Sequence, residues 1–265
     1  MNIQRVKTYV GGFRVVNYLA DRYRNRTRPF FRAISPIVET AKALEVGGPT
    51  PLFSRRGALP VYPIVADLDN SNWSDETFWS QIEEGRNFVF DKKRRPGRQI
   101  ISDAVNLEKI DAETYDLVIS SHVIEHIANP IKALRQWARV LKKDGHLLIV
   151  APDKRYTYDR NRPVTTIEHL IADFESDMPE SDDTHFEEII ALHDVSVDST
   201  VPSYEEHVRR TKCNFEHRIA HQHVFDEAVF RSMVEYAGFD IKVVDVFRPY
   251  HLVIFARKRP EAARA

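Results

Sequence analysis

Short apolar runs that end in turn residues alternate with amphipathic stretches along most of the chain, the pattern of strands and helices taking turns. Ala43, Leu44 and Val46 form the first such run and stop at Gly47-Gly48-Pro49, which predicts a buried strand followed by a tight turn. Val61 to Ala66 reads as a second strand, closed by Asp67, Leu68, Asp69 and Asn70, and Ile100 with Ile101 as a third, edge-like strand that delivers Asp103. Asp116 to Ser120 predicts a strong central strand. Pro130 to Leu141 has helical periodicity with Pro130 in the first turn and Asn129 as its cap. Asp144-Gly145 then predicts the helix-ending turn, and Leu147 to Val150 the next buried strand. Phe225 to Tyr236 reads as a helix with Gly238 past its end. Strands at about 241–247 and 251–257, joined by Arg248, Pro249 and Tyr250, read as a closing hairpin.

This alternation predicts an α/β fold with a doubly wound, mostly parallel, seven-stranded sheet. The expected organisation is a helical extension over 1–40, a main domain over 41–258 and a disordered tail over 259–265. Residues of about 155–223 break the alternation and read as a largely helical insertion that caps the ligand side. The stretch from Asn72 to Arg98, with Trp73, Phe78, Trp79 and a basic turn from Lys92 to Arg98, is too long for a minimal connection and reads as a second insertion.

Composition narrows the classes. The 265 residues are 43% hydrophobic and 29% charged with a formal net charge of −1, an ordinary globular balance that calls for neither nucleic acid nor an anionic membrane. The single cysteine, Cys213, excludes an intrachain disulfide and a cysteine zinc cluster and fits a reducing compartment, so a cytoplasmic location is expected. No apolar stretch is long enough for a transmembrane segment. The basic N-terminal residues, Arg5, Lys7, Arg14, Arg22, Arg24, Arg26, Arg28 and Arg32 against Asp21 alone, read as surface helices that lie over the ligand face or pair two subunits, so a homodimer through them is expected.

Chemistry concentrates at strand ends, because ligands of open parallel sheets bind in the crevice outside the carboxyl ends of the strands. Gly47 and Gly48 permit close backbone approach there, Glu45 precedes them, and Asp67 or Asp69 and then Asp103 follow the next two strands. The sequence has neither Gly-x-Gly-x-x-Gly nor a phosphate-loop lysine, which disfavours a dinucleotide or triphosphate.

The run Ala43-Leu44-Glu45-Val46-Gly47-Gly48-Pro49, the segment Asp103-Ala104-Val105-Asn106-Leu107 and the run Tyr115 to Ile127, followed by Pro130, Ala133-Leu134, Arg139 to Lys142 and Asp144-Gly145, resemble class I S-adenosylmethionine-dependent methyltransferases of the type 11 group. The resemblance covers about residues 42 to 155, with the closing helix and strands also consistent. It departs from the family pattern at Pro49, where a further glycine is usual. It implies a Rossmann-like fold and S-adenosylmethionine as cofactor, with Glu45 and Gly47 in the first cofactor motif, Asp67 or Asp69 for the ribose and Asp103 for the adenine. Ser121 and the turn from His122 to His126 then border both cofactor and acceptor. Pro152 to Asp159, Arg162 to Thr166 and Glu168 to Leu170 resemble a bacterial subgroup, some of whose members are linked to surface glycans. A small-molecule or glycan acceptor follows from that resemblance, and a noncatalytic member of the same fold acting as a binding partner is the alternative.

Methyl transfer to a hydroxyl requires a base, and histidine suits that role. His122 is the first candidate, with His126 four residues on and Asp153 after the fifth strand. Lys154, Tyr156, Asp159, Arg162, His221 and His223 are the candidate acceptor contacts. His169, His185 and His193 add to an unusual histidine content, but no compact motif such as His-Glu-x-x-His orders them, so no metal is expected.

Overall fold

The computed structural model describes residues 28–77, 83–85 and 87–260. Eight strands, β1 (Lys42–Val46), β2 (Asp67–Asn72), β3 (Asn87–Phe88), β4 (Gly97–Ile101), β5 (Tyr115–Ser121), β6 (Leu141–Pro152), β7 (Phe239–Phe247) and β8 (His251–Lys258), form one sheet in the order β3-β4-β2-β1-β5-β6-β8-β7. Neighbours among β4, β2, β1, β5 and β6 pair in parallel, whereas β8 runs antiparallel to both β6 and β7. Seven of these strands make the expected doubly wound, mostly parallel sheet, although the second is not where the sequence pattern puts it; the two-residue β3 adds an antiparallel edge on β4. The order turns outward in opposite directions from β1 and β5, so the crevice opens between their carboxyl ends.

Both faces of the sheet are buried, which explains the continuous apolar runs of its central strands. Val118 of β5 and Leu147 and Ile149 of β6 face one core with Leu134, Trp137 and Phe230. Leu117, Ile119, Leu148 and Val150 face the other with Phe30, Ile34 and Val38. The first core lies under α2 (Pro130–Val140), capped by Asn129, and α7 (Glu227–Tyr236), capped by Asp226. The second lies under α1 (Pro29–Val38), which places Phe30 edge-on against Phe247 at 5.6 Å. The rest of the N-terminal extension, with its expected subunit contact, and the end of the expected tail lie outside the described residues, as do Phe78 and Trp79.

Two expectations are corrected. Val61 to Ala66 is not a strand: Val61, Tyr62 and Val65 are buried in turns that lead into β2, which begins at Asp67. Its sequence Asp-Leu-Asp-Asn-Ser-Asn is polar, and tertiary hydrogen bonds supply what strand propensity does not. Asp144-Gly145 does not end the helix either. Helix α2 stops at Val140, Leu141 is already extended, and β6 starts there with an irregularity before its register with β5 resumes at His146.

Between β6 and α7 the described chain forms α3 (Ile167–Glu175), α4 (Phe186–Leu192), α5 (Tyr204–Lys212) and α6 (Asn214–His217). Thr166 and Ser203 cap α3 and α5 through their side chains. The chain returns beside β6, where the Lys154 amide donates to Phe225 O at 3.1 Å.

Candidate functional site

The Gly47-Gly48 turn closes the end of β1 under two steric limits. Gly47 has φ +84°, and a Cβ there would lie 2.3 Å from Val123 Cγ2; a Cβ on Gly48 would lie 2.1 Å from the Glu45 carboxyl carbon. The Glu45 side chain is thus tucked beneath the turn, 1% exposed. Tyr62 donates its hydroxyl to that carboxyl at 2.8 Å and accepts the Thr50 amide at 2.7 Å. Burial, only partly offset by the Tyr62 hydrogen bond, pushes Glu45 up to about 8, so it is a neutral acid at pH 7.

Asp67 opens β2 at the far end from the crevice, and Asp69 faces away into a cluster with Arg98 and Tyr115, accepting the Arg98 amide at 2.7 Å and the Tyr115 hydroxyl at 2.8 Å. Neither acid ends the strand, which corrects the sequence placement. The residues that face the glycine turn are Asn70 and Asn72. Asn70 accepts the Gly48 amide at 3.0 Å, and both asparagines donate to Gly48 O, at 3.1 and 3.0 Å.

Asp103 does stand just beyond β4. It accepts the Val105 amide at 3.2 Å, and Arg218 from the insertion donates to it at 2.7 Å. The Arg218 guanidinium also lies over the Trp73 ring, 4.4 Å from its centroid. Glu180 is 3.7 Å from the same guanidinium. Burial raises Glu180 to about 7, against the pull of Arg218. Ser121, at the end of β5, is buried with a hydroxyl that has no hydrogen-bond partner.

His122 follows Ser121 with φ +55°, and its amide donates to Val150 O at 3.0 Å. This left-handed residue turns the chain into a single helical turn, Ile124–His126, that carries Glu125 back under the imidazole. His122 Nδ1 lies 3.3 Å from Glu125 Oε1, and His122 Nε2 lies 2.8 Å from His251 Nδ1. Burial pushes the Glu125 carboxyl up, but the His122 hydrogen bond and the neighbouring imidazoles of His122, His126 and His221 outweigh it and hold the group below the usual range. With Glu125 ionised, His122 donates from Nδ1, and its Nε2 lone pair accepts from His251 Nδ1. Burial drives His251 down to about 3, so it is a neutral donor.

His126 is half-buried, contacts Ala220 O at 3.1 Å and is lowered to about 4 by desolvation and by His221, which makes it a poor base at pH 7. Asp153 is fully buried, caps the turn Lys154–Tyr156 and receives the Arg155 guanidinium at 2.6 Å, so its carboxylate is occupied. Lys154 lies in that turn, and Tyr156 is 61% exposed beside Arg155. Asp159 and Arg162 pair at 3.0 Å in the interior, and Arg162 also donates to His221 O, Gln222 O and Glu188. The His221 ring contacts Asp159 at 2.5 Å and Tyr158 at 2.7 Å. Asp159, Arg162 and His221 therefore brace the insertion internally. His223 is 1% exposed and lowered to about 3 by burial. Its Nε2 donates to Ala128 O at 3.0 Å, and its amide donates to Glu125 O at 3.2 Å.

Sequence reasoning missed His251, Tyr62, Asn70 and Asn72. The signal for His251 was in the closing hairpin: antiparallel pairing of β8 with β6 sets His251 opposite Pro152, at the same edge as His122.

A family model described as "Methyltransferase domain" matches residues 29–243. No curated protein matches the chain. Among solved structures, a SAM dependent methyltransferase from Aquifex aeolicus is 13% identical, with 93% of this chain and 99% of that chain covered and a TM-score of 0.44. An S-adenosylmethionine dependent methyltransferase from Mesorhizobium loti is 14% identical, with 87% and 96% covered and a TM-score of 0.47. The trans-methyltransferase CalH, in complex with SAH, is 17% identical, with 92% and 59% covered and a TM-score of 0.49. The family match takes in α1, β1 to β6, the insertion, α7 and the start of β7, and with it the chain belongs to the methyltransferase-domain family, whose S-adenosylmethionine-dependent class its sequence motifs resemble.

Proposed function

We propose that this enzyme methylates a hydroxyl oxygen of a polar small molecule or saccharide, and that the Glu125–His122–His251 chain removes the hydroxyl proton. The observation that carries this reading is the continuous contact from a buried carboxylate through two imidazoles, at 3.3 and 2.8 Å. A neutral amine can accept a methyl group without prior deprotonation, whereas a hydroxyl gains most from a base in line. A base dyad backed by a buried carboxylate favours the oxygen acceptor.

The cofactor side is proposed to consist of the Gly47-Gly48 turn, Asp103 and Ser121. They fit the group: the turn has no side chains to obstruct it, Asp103 can accept from an amino group, and the Ser121 hydroxyl is unpartnered at the crevice. Glu45 supports the turn from beneath in its neutral form. S-adenosylmethionine supplies a methyl group on a sulfonium, an activated electrophile that needs no acid to leave.

In the proposed step the acceptor hydroxyl gives its proton to His251 Nε2 while His251 Nδ1–H passes to His122 Nε2. His251 stays neutral, in keeping with its low basicity, and the positive charge comes to rest on His122 beside Glu125. The test is a methyl-labelled transfer assay of the purified chain against free sugars, nucleotide sugars and small hydroxy acids, with the linkage of the product determined by NMR. An O-methyl product is expected; a product methylated only on nitrogen or carbon would overturn the assignment.

A further inference from the structure

Away from the His122 network, α3, α4 and the segment leading to α7 converge on a second group of side chains, His169, Asp173, His185 and His223, each offering a ligand atom within 4.8 Å of every other. His169 and Asp173 stand one helical turn apart on α3, His185 is the residue before α4, and His223 comes from the returning chain. His169 Nε2 lies 3.1 Å from His185 Nε2 and 3.2 Å from Asp173 Oδ2. Asp173 Oδ2 lies 3.7 Å from His223 Nε2.

These side chains are poorly satisfied by one another. Asp173 Oδ2 and His223 Nδ1 are both buried and have no hydrogen-bond partner. His169 Nε2 faces two acceptor-capable atoms at once and can donate one proton to only one of them. Leaving such atoms unpaired in the interior is costly, and a cation that takes all of them as ligands removes the cost.

We propose that His169, Asp173, His185 and His223 bind one divalent metal of the zinc class, which ties the insertion together over the methyl-transfer site. Three imidazoles and one carboxylate are a nitrogen–oxygen donor set that suits zinc. Zinc–nitrogen bonds of about 2.0–2.1 Å in a tetrahedron put neighbouring ligand atoms about 3.3 Å apart, close to the 3.1 and 3.2 Å separations around His169. The Ala128 carbonyl accepts from His223 Nε2, the outer hydrogen bond that metal-binding imidazoles make, which leaves the unpartnered Nδ1 as the ligand atom. Entry is open on one side, because the His169 side chain is 42% exposed. Four protein ligands close the coordination shell, so the role is structural: through the contact of the His223 amide with Glu125 O, the metal would anchor the turn that carries the carboxylate of the base chain. No compact motif marks this site in the sequence because its ligands come from three separated segments.

The test is a cobalt(II) titration of the full, chelator-treated wild-type chain, followed by absorption, with metal content and thermal melting measured beside it. The expected result is one tetrahedral cobalt band that saturates at one ion per chain, is displaced by zinc and comes with a rise in melting temperature. His185→Ala and Asp173→Asn should lose the band, whereas His126→Ala, in the neighbouring group of Glu125, His126 and His221, should keep it. The absence of any band in a folded wild-type chain overturns the proposal without recourse to the variants. So does a band lost in His126→Ala but kept in His185→Ala.

Discussion

His122 Nε2 and His251 Nδ1 lie 2.8 Å apart, although 129 positions separate the two residues in the chain. One residue leaves β5 in a left-handed turn and the other opens β8, and the antiparallel pairing of β8 with β6 brings them to the same edge of the sheet. Because the His122 lone pair is already engaged by His251, proton removal through this pair requires both rings. His122→Ala and His251→Ala should each lower kcat by about 100-fold or more and leave the affinity for S-adenosylhomocysteine within twofold. The double variant should be little worse than either single one, since the two rings act as a unit. Steady-state kinetics with calorimetric binding checks this.

Asp103→Ala should weaken S-adenosylhomocysteine binding by about 10- to 100-fold, the worth of one charge-assisted hydrogen bond, and change kcat little. Asp67→Ala and Asp69→Ala should leave binding much nearer wild type, because Asp67 opens its strand and Asp69 is held by Arg98 and Tyr115. Calorimetric titration of the three variants separates the positions.

Glu45 gives a pH signature. Its folded pKa of about 8 lies above the ordinary 4.5, so its contribution to stability is full below the ordinary value and is lost as pH rises towards about 8. Glu45→Gln keeps the shape and removes the titration. The variant should match wild type near pH 5 and be more stable at pH 9, by an amount on the order of a few kcal/mol. Comparing the two proteins by denaturant unfolding cancels the opposing titration of the buried histidines.

Much of this arrangement could be read from the chain. The uninterrupted Tyr115–Ser121 run and the Asn129-Pro130 start of α2 are local signals, and both are in place. So is the glycine turn after β1. Strand β2 escapes the sequence pattern because its six residues look like a loop: Asn70, Ser71 and Asn72 are satisfied by Gly48, Gln99 and Ser102, partners that exist only once the fold has formed. Asp153, Asp159 and Arg162 have the chemistry of site residues, yet burial pairs them with other protein groups. Sequence spacing carries no information about that pairing. His251 shows the converse, a functional candidate visible only through strand register.

The buried Asp159–Arg162 pair, with side chains 3% and 1% exposed, is a brace rather than an acceptor contact. Asp159→Asn should destabilise the protein by about 3 kcal/mol, because it removes the buried carboxylate that pairs both the Arg162 guanidinium and the His221 ring and leaves Glu188 as the remaining charged partner of Arg162. The acceptor KM of the folded fraction should stay near wild type. Thermal unfolding and kinetics on the same preparation distinguish a brace from a binding group.

Turnover and cofactor binding of His122→Ala, measured together on one acceptor, test the central assignment most directly. The geometry predicts S-adenosylhomocysteine affinity equal to that of wild type and turnover lowered by about 100-fold or more. Full turnover in a variant that still binds S-adenosylhomocysteine would contradict the Glu125–His122–His251 chain as the route of the proton.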